Sequence, residues 1–126
     1  MRILTGILIM LLLLIGFSLF IFRQTFEIAE GLTAALDQIE ETVQTDQWDK
    51  ASRVVEELKE QWGRADAWWS PFMDHQEIDL LDQSIVRVAR LVEVRRKEDA
   101  LVEISVARTM IKSISELQRP GISNIF

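Results

Sequence analysis

The chain has 126 residues, room for one domain, with 14 Lys and Arg against 20 Asp and Glu for a net charge of −6. That acidity argues against nucleic acid as a partner and against wide contact with anionic lipid. With no cysteine, disulfide staples and thiolate metal sites are excluded, whatever the compartment.

Ile3 to Phe22 carries no charge and consists mostly of Leu, Ile and Phe. A helix of this length spans roughly 30 Å, the thickness of a bilayer's hydrocarbon core. A cleavable signal peptide would have a shorter apolar region and a small-x-small site, whereas this run ends in Phe20-Ile21-Phe22-Arg23-Gln24. Residues 1–23 therefore read as an uncleaved anchor, with the lipid bilayer as partner through residues 3–22. Arg2 and Arg23 nearly balance across the span, so the loop-charge rule votes weakly on orientation. The short leading tail and the long acidic remainder favour a single-pass protein of the cell membrane whose C-terminal domain is extracytoplasmic. Gly6 and Gly16 do not form a G-x-x-x-G pair, and no ionisable residue interrupts the run. The segment thus reads as a tether rather than a dimerisation helix or a transport path.

Residues 24–126 follow helical spacing throughout. Ile28, Leu32, Ala35, Ile39 and Val43 mark one face, and Trp48, Ala51, Val55, Leu58, Trp62, Ala65 and Trp69 mark a second. Ile78, Leu81, Ile85, Val88 and Val92 form a third stripe; Ala100, Ile104, Ala107, Ile111 and Ile114 form a weaker fourth. The spacing predicts helices over about 24–44, 47–68, 71–95 and 98–118, and no segment alternates as a strand would. The fold class is all-α: an N-terminal transmembrane helix followed by an antiparallel four-helix bundle made of two helical hairpins. Thr45 or Asp46 is expected to cap the second bundle helix, and Ser70, with Pro71 at the first helical position, the third. Arg95 to Glu98 forms the last turn, and Pro120-Gly121 ends the fourth helix. A faint internal echo sets Ala51 against Ala100, as the second helices of two similar hairpins. Two hairpins are too few for a solenoid.

Short connections make neighbouring helices antiparallel. The bend at Trp68–Met73 and the last six residues then return to the end of the bundle nearest the span, while the turns at 45–47 and 95–98 lie at the far end. Trp68 and Trp69 cannot both face the core, since adjacent helical positions diverge by about 100°. One of them, with Phe72 or Met73, is expected at the surface. His75, Asp79 and Asp82 share a helical face. One imidazole with two carboxylates is a weak metal candidate, because a dependable site needs a second His or Glu on a facing helix and the chain has no other histidine. The plainer reading gives these residues a structural part at the corner. No phosphate loop, nucleophile elbow or zinc-protease His pair is present, so no catalytic residue, metal or cofactor is assigned and an enzyme is not expected. Glu56 with Lys59, and Glu93 with Lys97, read as surface pairs.

The stretches "HQEIDLLDQSIVRVARL" and "EDALVEI", with the ending "NIF", resemble the bacterial family catalogued as domain of unknown function 4363. The likeness covers most of the chain and is most specific at His75, Glu77, Ile78, Asp79 and Asn124-Ile125-Phe126. It implies a Gram-positive source, a single membrane span and genetic neighbours encoding small multi-helix membrane proteins, and it supplies no activity. The basic turn "VEVRRKEDA" departs from the family pattern, so a partner using that end would differ. The expected role is a non-enzymatic accessory or scaffold protein that meets a membrane-protein partner through Trp68, Trp69, Phe72, Met73, Ile125 and Phe126. The competing reading is an extracytoplasmic ligand- or metal-sensing bundle centred on His75.

Overall fold

The computed structural model describes residues 1–117. It contains four helices: α1 (Arg2–Gln44), α2 (Trp48–Trp69), α3 (His75–Glu93) and α4 (Lys97–Leu117). The anchor and the first bundle helix, expected as separate elements meeting at residues 23 and 24, are one unbroken helix of 43 residues, roughly 65 Å long. Nothing between Phe22 and Gln24 could break it, since the junction lacks proline, glycine and any capping side chain before Thr25. Its first 20 residues are exposed, and α1 is long and apolar enough to cross a membrane.

The remainder of α1 closes a ring with the other three helices: α1 packs on α2 and α4, and α3 packs on α2 and α4. The apolar stripes face inward as their spacing requires. Leu32, Ile39, Leu58, Leu81, Val88, Ile104 and Ala107 are wholly buried, while Ile28 and Trp48 lie half-buried against the core.

Both distal turns are built alike. At the end of α1, Asp46 N–H donates to Val43 O at 3.1 Å and Gln47 N–H to Thr42 O at 2.8 Å. At the end of α3, Arg95 N–H donates to Val92 O at 3.1 Å and Arg96 N–H to Leu91 O at 2.9 Å. This double closure satisfies the last carbonyls and places one residue in the left-handed region, here Asp46 at φ 59° and Arg95 at φ 58°. The spacing of the two turns matches the Ala51–Ala100 echo, so the two hairpins share a turn as well as a pattern. Neither expected residue caps α2: Thr45 Oγ1 donates back to Glu41 O at 2.9 Å and Asp46 belongs to the turn that follows α1, so Trp48 starts α2 after Gln47 without a side-chain cap. Lys97 reaches across to Asp46 at 3.5 Å and joins the two turns at one pole.

The third helix also starts later than expected, and its cap is Asp74. Ser70 keeps helical backbone angles, its N–H bonded to Asp66 O, so α2 runs into it. Pro71 belongs to the following tight turn, in which Phe72 and Met73 N–H both donate to Trp69 O. Asp74 is extended and accepts from Gln76 N–H at 3.1 Å. The signal was present as Asp74 followed three residues later by Glu77, the capping-box spacing. Glu93, placed by sequence with Lys97, pairs instead with Arg90 at 3.3 Å; Glu56 and Lys59 do pair, at 3.2 Å.

Candidate functional site

The α2–α3 corner sits at the level where the apolar run of α1 ends. Phe20 and Trp68 meet edge-on, ring centroids 6.4 Å apart at 75°. From the distal turn, α1 descends to Phe20 and α2 descends to Trp68 over nearly equal lengths, which is why the two rings coincide. Trp69, 100° further round α2, points inward and is 1% exposed; it lies edge-on to Trp62 with centroids 6.3 Å apart at 72°. Phe72, in the turn itself, is 59% exposed, and Met73 is half-buried against the core. The corner therefore divides the aromatic group into a buried anchor, a ring set edge-on against the end of the apolar run and an exposed ring. Ile125 and Phe126 lie outside the described residues.

Asp82 accepts a hydrogen bond from Trp62 Nε1 at 2.7 Å and so ties α3 to α2 beside the corner. His75 and Asp79 are exposed. Among the described residues, no three His, Asp or Glu side chains converge closely enough to hold a metal ion. The shared helical face of His75, Asp79 and Asp82 is real, but a helix surface alone spreads such side chains over two turns, and no carboxylate from α2 or α4 completes the set.

Two further polar ties between helices escaped sequence reading, because apolar periodicity does not say which polar flanks meet. Arg108 on α4 bonds Asp37 at 2.8 Å and Glu40 at 2.9 Å on α1. Its guanidinium is held above the usual value, first by the hydrogen bond with Glu40, against the opposing effect of burial. Glu103 accepts from Ser84 at 2.9 Å and from Arg87 at 2.8 Å, which joins α4 to α3.

Two of the clefts along α1 lie beside its residues 26–31. The larger, about 800 Å³, runs between α1 and α4 past Phe26, Thr33, Arg108 and Ile111. The smaller, about 440 Å³, opens between α1 and α2 and is lined by Gln24, Glu27, Ile28, Gly31, Gln61, Arg64 and Trp68. Gln61 Oε1 and Trp68 Nε1 are closed to solvent behind its wall and have no hydrogen-bond partner among the described residues. Sequence periodicity places Gln61 and Trp68 on one side of α2 but says nothing about an unfilled space beside them.

No curated protein and no solved structure matches this chain. A family model does match residues 19–125, from the last turn of the apolar run through the whole bundle, and the chain belongs to that family, described as Domain of unknown function (DUF4363).

Proposed function

We propose that this chain is a non-enzymatic, membrane-anchored accessory protein. In this reading residues 3–22 cross the cell membrane once, the acidic bundle lies on the extracytoplasmic side, and the corner of the bundle nearest the span meets a membrane-protein partner. The observation that carries it is the Phe20–Trp68 contact, which holds the α2–α3 corner beside the end of the apolar run. A large aromatic, Phe72, is left exposed at that same corner. Exposed aromatics gather where another surface covers them, and a partner in the same bilayer is the surface within reach. The opposite pole, with Asp46, Arg95, Arg96 and Lys97, is charged and solvated.

A photo-crosslinking residue introduced in cells at position 72, with position 95 as the distal control, tests the reading. Crosslinking from 72 to one membrane protein, with none from 95, is the expected result. Crosslinking from 95 alone, or an even spread over unrelated proteins from 72, overturns it. A cysteine at position 95 that reacts with an impermeant thiol reagent in intact cells supports the extracytoplasmic orientation, and a protected one reverses it.

A further inference from the structure

The two hairpins supply an internal control on what each helix face requires. Their turns at Asp46 and Arg95 are alike and stand 49 residues apart, so α2 and α4 hold equivalent places. The same shift sets Ala51 on Ala100, Leu58 on Ala107 and Trp62 on Ile111, all buried. The outward positions break the correspondence. On α2, Arg53, Glu56, Glu57, Glu60 and Arg64 are all exposed and make a charged, solvated face. On α4 the equivalent positions are Val102, Ser105, Val106, Thr109 and Ser113, and none carries a charge. Val102 is 64% exposed. A polar outer face is the ordinary state of a bundle helix, and α2 shows that the fold accepts charge at these places. Packing within the bundle therefore does not explain the bare face of α4.

Charge limits what can cover it. The chain carries −6, and the outward faces of α1 and α2 expose Glu30, Asp37 and Glu41, and Glu56, Glu57 and Glu60. A second copy set against either would bring carboxylates together, which is strongly unfavourable. On α3 the exposed charges are Asp79, Arg87 and Arg90. The outward face of α4 is the one on which a copy meets no like charge. A two-fold contact sets each surface patch against itself, and Val102 and Val106 satisfy that without a complementary partner. Thr109 Oγ1 donates to Ser105 O at 2.9 Å, so covering Thr109 strands no donor. Orientation agrees. α4 runs antiparallel to α1 and so stands along the membrane normal when the apolar run of α1 is the anchor. Two copies held in one bilayer are related by a two-fold axis along that normal, which places their α4 helices side by side at equal height.

We propose that the outward face of α4, residues 102–113, is the contact between two copies of this chain in the membrane. The strip measures roughly 18 Å by 10 Å, well below the ~800 Å² per partner of a stable complex in solution. Confinement of both copies to one bilayer supplies the effective concentration that the area does not, and to that extent the contact rests on the anchor reading. It uses the side of the bundle and leaves the α2–α3 corner free for a membrane-protein partner.

The chain has no cysteine, so a single introduced thiol reports its own contacts. Full-length chains bearing Thr109→Cys, or Glu60→Cys at the equivalent place on α2, are expressed in cells, and their carbonate-washed membranes are treated with a short bifunctional maleimide. Thr109→Cys should give a covalent dimer and Glu60→Cys should not. Adding Val106→Glu to Thr109→Cys should cut the dimer about tenfold. Its helical signal and unfolding midpoint should stay unchanged, since α2 carries Glu57 at that place. Co-expression of Val106→Glu and Val106→Lys forms, each with Thr109→Cys, should restore the dimer, which a misfolded chain could not do. No dimer from position 109, equal dimer from 60 and 109, or a 109 adduct with a different protein overturns the proposal. An undiminished dimer from a folded Val106→Glu chain does the same. A chain lost in the carbonate wash removes the anchor and this contact together. A retained chain that stays monomeric removes this contact alone and leaves the corner reading standing.

Discussion

The two buried indoles of α2 should respond oppositely to the same substitution. Trp62→Phe and Trp69→Phe each remove an N–H and one small ring, which leaves similar voids worth about 1 kcal/mol. They differ in what the N–H does. Trp62 donates to Asp82 at 2.7 Å. A hydrogen bond to a charged group contributes about 1.5–3 kcal/mol, and the lower end applies because Asp82 is exposed and water replaces the lost donor. Trp62→Phe should therefore destabilise by about 2–3 kcal/mol. Trp69 Nε1 is buried with no acceptor among the described residues, so its removal returns about 1–3 kcal/mol of desolvation. Trp69→Phe should lie between neutral and about 2 kcal/mol more stable. Urea unfolding of the full-length chain in detergent, followed by far-ultraviolet circular dichroism, measures both. Asp82→Ala should reproduce the hydrogen-bond part of the Trp62 loss, and adding it to Trp62→Phe should cost little more. Equal destabilisation by the two tryptophan substitutions would mean that Trp69 finds an acceptor, and the reasoning from its orphan N–H would fail.

Three further outcomes follow from local geometry, and the same unfolding measurement reads them. Asp74→Ala should cost about 1 kcal/mol by removing the α3 cap, while Ser70→Ala stays within about 0.5 kcal/mol; the reverse order would restore Ser70 as the cap. Arg95→Gly should stabilise by about 0.5–1 kcal/mol, because φ 58° strains any residue with a Cβ, and a loss instead would show that Arg95 makes a contact worth more than its strain. Arg108→Gln should cost about 1 kcal/mol at low salt, its tie being one-third exposed, and less at high salt. Since the folded guanidinium titrates above its unfolded value, that contribution is complete below the unfolded value and is lost only as pH rises through the folded one. The wild-type minus Arg108→Gln difference should therefore be flat from neutral pH to about pH 10, and a fall within that window would assign the tie to another group.

The core was legible in the sequence because burial in a helical bundle is periodic. Leu32, Leu58, Leu81 and Ile104 are inside because the spacing leaves them nowhere else to go. Turn chemistry was less legible. Asp46 and Arg95 occupy left-handed backbone that glycine usually takes, so nothing in their identity marked them, and Ser70-Pro71 offered a stronger start signal than the residue that caps α3. The corner's position depended only on helix lengths and emerged from counting. The clefts did not, because they arise from side chains that fail to meet: Gly31 has none to offer, and Gln61 and Trp68 lie on a flank that no periodicity assigns to core or solvent.

The two poles of the bundle are unequal in a way that bears on function. At the distal pole two identical turns satisfy their own carbonyls, and Lys97 and Asp46 link them. Those turns leave the helix-terminal carbonyls of α1 and α3 satisfied within the bundle. Among the described residues, three of the four buried, unpartnered side-chain atoms belong to Gln61, Trp68 and Trp69, all on the C-terminal half of α2. An exposed Phe72 adds unburied apolar surface to the same end. Unpaired buried donors and bare aromatic rings both cost free energy in water, and simple optimisation of a bundle would remove them, as it has at the distal turns. Under the accessory role proposed above, a partner at the α2–α3 corner would cover the bare Phe72 ring, and the unequal poles are what that role requires.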